Sequence, residues 1–240
     1  MANLKLPTVQ HFSTHCGGTV ADIRKRIEKR AGGGSGISYE TLRTQWLFDR
    51  FQLGIDAEQI EKAIKATLKP KNAKHNLAAL QALSKYIKEN SFSGAIRVDP
   101  RLFPIGRGLY VPVNPPFVLI DARRPRLFWP SFWKTPGKLN GIPGRVFISI
   151  LEREMFGRSD FRSLDLDFVD LSCPTGSTTR GARVYNRKDF HSLSDKELAQ
   201  ELEKFVEAYF LAKEPVSKER ADSERPTQSP GSDLPLFPEG

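Results

Sequence analysis

Two cysteines, four histidines and two methionines among 240 residues leave little material for sulfur or imidazole chemistry. Cys16 and Cys173 lie far apart, so reduced thiols are expected rather than a disulfide framework. His11, His15 and Cys16 are ligands of the right type close together. A structural zinc takes four ligands, however, and no second pair follows them. No apolar run approaches the roughly 20 residues of a membrane span, and the opening MANLKLPTVQ lacks the basic-then-apolar signal pattern. The expectation is a cytoplasmic protein with no membrane partner. No Ser, His and Asp grouping stands out for nucleophilic catalysis. The glycines of AGGGSG at 31–36 have neither a Gly-Lys-Ser/Thr ending nor a preceding apolar strand, so they read as a flexible joint and not as a phosphate cradle.

Acidic residues are also few beside the basic ones. The chain has 37 Lys and Arg against 28 Asp and Glu, a formal charge of +9 and a pI near 9.6. Residues 1–92 hold 15 basic and 8 acidic side chains, residues 93–213 hold 19 and 14, and residues 214–240 hold 3 and 6. A basic folded part attracts polyanions at long range and releases counterions on phosphate contact.

Helical spacing dominates the first 90 residues. Val20, Ile23 and Ile27 mark a helix over 19–30 whose other face carries Arg24, Lys25, Arg26, Lys29 and Arg30. Further helices are predicted over 38–53, ending at Gly54, over 56–68 and over 71–90, with a basic loop at 69–74. A Ser/Gly joint at 91–94 then changes the period toward 2. Short strands follow at 96–98 and 109–113, a helix at 142–156, a strand at 165–171 with its partner at 182–185, and a closing helix at 194–213 with Ser194 and Glu197 as a capping box. The expected fold class is α+β: an N-terminal helical bundle (1–92), a small mixed β-sheet domain flanked by helices (93–213), and a disordered acidic tail (214–240).

Residues 110–138 combine the best strand signal with the densest aromatic and cationic side chains. Residues 110–113 and 117–120 read as two strand pieces with a kink at Pro115 and Pro116, and 127–133 returns as the second arm of a hairpin. Its turn carries Arg123, Arg124 and Arg126, expected as an exposed cationic tip. The returning arm carries Trp129, Trp133, Lys134 and, further on, Lys138. Cations for phosphates and rings for bases make these seven the candidate nucleic-acid-binding residues, although rings of this size pack into cores as readily.

This order of helices, kinked hairpin, helix, strand, strand and helix resembles the core of the PD-(D/E)xK nucleases over about residues 95–213. In that family a hairpin offers an Asp and an acidic-x-Lys triplet to a metal ion. The matching places here are Pro115-Pro116 or Ile120-Asp121 for the first acid and Phe132-Trp133-Lys134 for the triplet. Lys134 fits and Phe132 does not, which removes an oxygen ligand that Mg²⁺ needs. The resemblance therefore implies a degenerate core that holds nucleic acid without cleaving it, with no cofactor. If it were active, Asp121, Lys134, Asp165 and Asp167 would be the catalytic set with Mg²⁺. Asp165, Asp167 and Asp170 otherwise read as the solvent face of an edge strand.

The tail residues Leu234, Leu236 and Phe237 follow Asp233 in a pattern that resembles the peptide by which bacterial repair and replication proteins dock on the sliding clamp, with Asp233 in place of its Gln. They are the candidate partner-binding residues. Three functions compete: a nucleic-acid-associated accessory protein of bacterial DNA repair or defence, a metal-dependent nuclease, and an interaction subunit whose Trp, Phe and Arg lie in a partner interface.

Overall fold

The computed structural model describes residues 6–31, 37–121, 124–174, 177 and 179–213. Residues 32–36 of the joint predicted at 31–36, the turn residues Ala122 and Arg123, and the tail with Leu234, Leu236 and Phe237 lie outside these.

Local sequence signals set several of the helix ends. After α1 (Val9–Ser13) and α2 (Val20–Ala31), a π-helical turn (Leu42–Trp46) runs into α3 (Leu47–Leu53), which ends on Gly54 at φ +69°. Helix α4 (Ala57–Thr67) begins with a capping box: Asp56 accepts from the Gln59 N–H at 2.8 Å and Gln59 accepts from the Asp56 N–H at 3.2 Å. Helix α5 (Pro70–Glu89) takes Pro70 in its first turn.

Five strands form the main sheet in the order β1 (Phe92–Arg97), β4 (Phe117–Asp121), β5 (Arg126–Ser131), β6 (Asp165–Asp170), β7 (Arg183–Asn186). Neighbours are antiparallel except β5 and β6, which are parallel because α6 (Ile142–Leu151) and its π-helical end (Glu152–Phe156) carry the chain back across the sheet. Strands β2 (Arg101–Gly106) and β3 (Leu109–Val113) form a separate two-stranded sheet. The expected kinked strand over 110–120 is thus two strands in two sheets. Pro115 and Pro116 mark the crossing, since neither can donate to a continuing ladder. The hairpin of β4 and β5 and the pairing of 165–170 with 183–186 follow the predicted pattern.

Alternation on the strands builds two cores. Val118, Leu127, Trp129, Leu166 and Phe168 face α1, α2, the β2–β3 sheet, α6 and the closing helix α7 (Asp195–Lys213). Phe117, Leu119, Phe128 and Val169 face α3, α4 and α5. Phe117 and Phe128 are fully buried and their rings lie 5.2 Å apart, so burial alone stabilises by about 2–3 kcal/mol for each. Residues 1–92 do not close a core of their own. Val9, Phe12, Ile23 and Ile27 pack on one face of the sheet and Leu42, Leu47, Ile60, Leu80 and Leu83 on the other, so the first helices sandwich the strands that follow.

Strand β6 is not an edge. It lies between β5 and β7, and Asp167 and Asp170 are 0% and 5% exposed, which overturns the reading of the acidic run as a solvent face.

Candidate functional site

The polar residues of the sheet gather at its two ends. At the start of β5, Arg126 donates to Asp121 at 2.8 Å and to Asp167 at 3.1 Å. Asp167 also accepts from the Tyr86 hydroxyl at 2.7 Å and from the Asn186 amide at 2.9 Å. Burial pulls the Arg126 pKa down, but Asp167 and Asp121 outweigh it and hold the guanidinium above its ordinary value. Burial, then the Asp167 carboxylate, push the Tyr86 hydroxyl upward, so it stays a donor. This is a closed network in which each charge has partners.

That network corrects two expectations. Arg126 is not part of an exposed tip, because two carboxylates hold it against the sheet; Arg124 is exposed and gives its Nε–H to the Ser163 carbonyl at 2.7 Å. Nor does the conditional catalytic set assemble. Asp121 and Asp167 are tied to Arg126, Asp165 accepts from its own neighbour, the Leu166 N–H, and Lys134 follows the opposite end of β5, about 17 Å of strand away. These residues do not fit a Mg²⁺ site. Among the described residues no group of three or more His, Cys, Asp and Glu is placed to hold a metal, and Cys16 and Cys173 are free thiols.

The other end, where β5 and β6 stop, is open. Trp133 stands there, half-buried, between two cavities. One, of about 360 Å³, is walled by Tyr39, Phe132 and Trp133 with Gln10, His11 and Arg43. Tyr39 and Phe132 stack with centroids 4.7 Å apart and planes at 6°. Arg180 lies over the Tyr39 ring at 5.3 Å and donates to its hydroxyl at 2.6 Å and to the Trp133 carbonyl at 3.3 Å. Its donors go to neutral oxygens, so its charge is not neutralised. Arg43, in contrast, is paired with Glu40 at 3.1 Å.

The second cavity, of about 290 Å³, lies between β6, β7 and the start of α6. Trp133, Phe168, Tyr185 and Phe190 line it with Lys138 and Asp170. Gly144 lets the first turn of α6 close against the loop after β5, since a Cβ there would come within 2.0 Å of the Leu139 carbonyl oxygen.

Burial and the arginines and lysines around this end hold its histidines neutral. Burial, then Arg30 and Arg43, lower the pKa of His11 to about 4, and its neutral Nδ1 accepts from the Trp133 indole at 3.4 Å. Part of the His11 ring is in water, which screens the two cations. His15 is lowered to about 4 by burial, then by Arg30 and Arg26. Burial lowers His75 as well, followed by Arg180, Lys74 and Lys71; Lys71 and Lys74, predicted in a basic loop, lie in the first turns of α5.

Of the seven candidate nucleic-acid residues, the open end keeps Trp133, Lys134 and Lys138. Lys134 and Lys138 are exposed. Trp129 belongs to the core: it is 1% exposed and donates to Gln10 at 2.8 Å. Tyr39, Arg43, Arg180, Tyr185 and Phe190 were not legible as site residues, because each comes from an element remote in sequence and carries no local motif. Neither a protein-family model nor a curated protein matches the chain, so the reading rests on this geometry.

Proposed function

We propose that the protein is a nucleic-acid-associated accessory protein that holds single-stranded or splayed nucleic acid at the end of the sheet around Trp133, without cleaving it. The observation that supports this is the placing of Trp133 between two ring-walled cavities, with the unneutralised Arg180 on its carbonyl and Lys138 lining one of them. Rings that accept bases and a cationic track that accepts phosphates are what sequence-tolerant single-strand binding uses. The nuclease alternative loses its support, since its four candidate residues divide between opposite ends of β5. A cytosolic setting in DNA repair or defence, with the tail as a tether to a partner such as a sliding clamp, completes the proposal.

Binding to labelled single- and double-stranded DNA and RNA over a salt series, with and without Mg²⁺, tests it. Single strands should bind more tightly, the log of affinity should fall linearly with log salt, and the strands should remain intact. No binding at low salt would overturn the proposal and bring forward the interaction-subunit reading.

A further inference from the structure

The smaller cavity has a chemistry more selective than stacking. Its rings Phe168, Tyr185 and Phe190 converge with centroids 6.0–6.4 Å apart, and Trp133 approaches Phe168 at 6.1 Å. At about 290 Å³ it sits at the lower end of the roughly 300–1,000 Å³ of small-ligand sites, so it takes one ring system and not a run of bases. Among these rings lies Asp170, 5% exposed. Its Oδ1 accepts from the Ser172 N–H at 3.0 Å and its Oδ2 from the Ser172 hydroxyl at 3.1 Å. A carboxylate has about four lone-pair sites, so acceptor capacity remains on both oxygens. A buried polar group left without a full set of partners costs free energy that a ligand's donors can recover.

From this we infer that the chamber takes one unstacked guanine base, with Asp170 accepting from the guanine N1–H and exocyclic amino group. The inference rests on the proposed nucleic-acid reading and names the base that this part of the site selects. Guanine presents two adjacent donors on its pairing edge. Adenine and cytosine set a ring-nitrogen lone pair beside their amino group, which repels a carboxylate, and uracil and thymine present one N–H between two carbonyl oxygens. Lys138 lines the same cavity, as does the first turn of α6, which carries no acidic side chain; both suit the attached phosphate.

The test uses the full chain and thymine-rich 12-mers that differ at one central base: guanine, 7-deazaguanine, hypoxanthine or adenine. Hypoxanthine lacks only the exocyclic amine, so the comparison needs no change in the protein. Guanine and 7-deazaguanine strands should bind about tenfold more tightly than hypoxanthine or adenine strands, and Asp170→Asn should remove the difference. Equal binding of guanine and hypoxanthine strands, with binding itself retained, overturns the guanine inference and leaves the proposed function standing. If no strand binds but guanosine monophosphate binds the wild-type chain and not the Asp170→Asn variant, the chamber is confirmed and the nucleic-acid reading falls. If neither binds, both fall.

Discussion

At the end of the sheet where β4 stops and β5 starts, Arg126, Asp121, Asp167, Tyr86 and Asn186 use their polar atoms on one another. At the end where β5 stops, Arg180 spends its donors on neutral oxygens and the rings of Tyr39, Phe132 and Trp133 border open cavities. Both ends are rich in Arg and aromatic residues. The difference lies in whether the charges are answered inside the chain. An answered charge fixes the fold, as Arg126 does by joining β4, β5, β6 and α5. An unanswered charge beside a ring retains its attraction for a ligand, and that is why the open end carries the proposed interface.

The sharpest way to break this contrast is to remove the central cation of the closed end. Arg126→Met leaves Asp167, 0% exposed, without its ion pair. Breaking such a pair costs about 3 kcal/mol or more. Urea unfolding should show that loss, and adding Asp167→Leu should recover much of it. If the single variant unfolds at the wild-type midpoint, the network is not structural and the comparison fails. At temperatures where it stays folded, the variant should bind nucleic acid as the wild type does.

Next in size is Trp133→Ala at the open end. Base–aromatic stacking contributes about 1–3 kcal/mol per base, so single-strand affinity should drop by about 10- to 100-fold in fluorescence anisotropy. Stability should change less than with Arg126→Met, because Trp133 is half-buried and the closed network is untouched. Unchanged affinity would remove Trp133 from the interface.

Acid provides a third, smaller contrast. The folded His15 titrates near 4, below its ordinary 6.5, because it is buried beside Arg30 and Arg26. The unfolded chain therefore takes up the proton first. Stability from this group is complete above pH 6.5 and is lost as pH falls from 6.5 toward 4. Allowing for solvent screening, about 1–2 kcal/mol should disappear over that window. Arg30 lies 3.5 Å from the His15 Nε2, so a proton there would face a guanidinium. Melting temperatures between pH 4 and 7 should show a shallower slope in His15→Gln; an identical slope would assign the pH dependence to other groups.

Local chemistry made much of the fold legible in advance. Asp56 with Gln59, Ser194 with Glu197 and Gly54 at a helix end are signals that need no tertiary partner, and the structure uses all of them. The β4–β5 hairpin was equally plain. What stayed hidden depends on which faces meet. Periodicity cannot say that helices before residue 92 cover both faces of a later sheet, nor that Pro115 and Pro116 separate two sheets instead of bending one. The site was legible at Trp133, Lys134 and Lys138 only. Tyr39 meets Phe132 across 93 positions, and Arg126 sits among cations in sequence but between carboxylates in space.

The finest discrimination between the ends concerns single lysines. Lys134 and Lys138 are exposed beside the open cavities, so reversing either one should leave folding unchanged within about 0.5 kcal/mol. Its effect should fall on the electrostatic part of binding. Each phosphate contact adds about 0.9 to the slope of log affinity against log salt for a duplex and about 0.7 for a single strand. Lys138→Glu should therefore reduce the slope on single strands by about 0.7, weakening binding at low salt and hardly at all at high salt. Arg124→Glu is the matched control, since Arg124 lies between β4 and β5 at the closed end and is also exposed. If the interface lies at the open end, Arg124→Glu changes the slope less than Lys138→Glu. A larger effect from Arg124→Glu would move the interface back to the hairpin turn and reverse the assignment of the two ends.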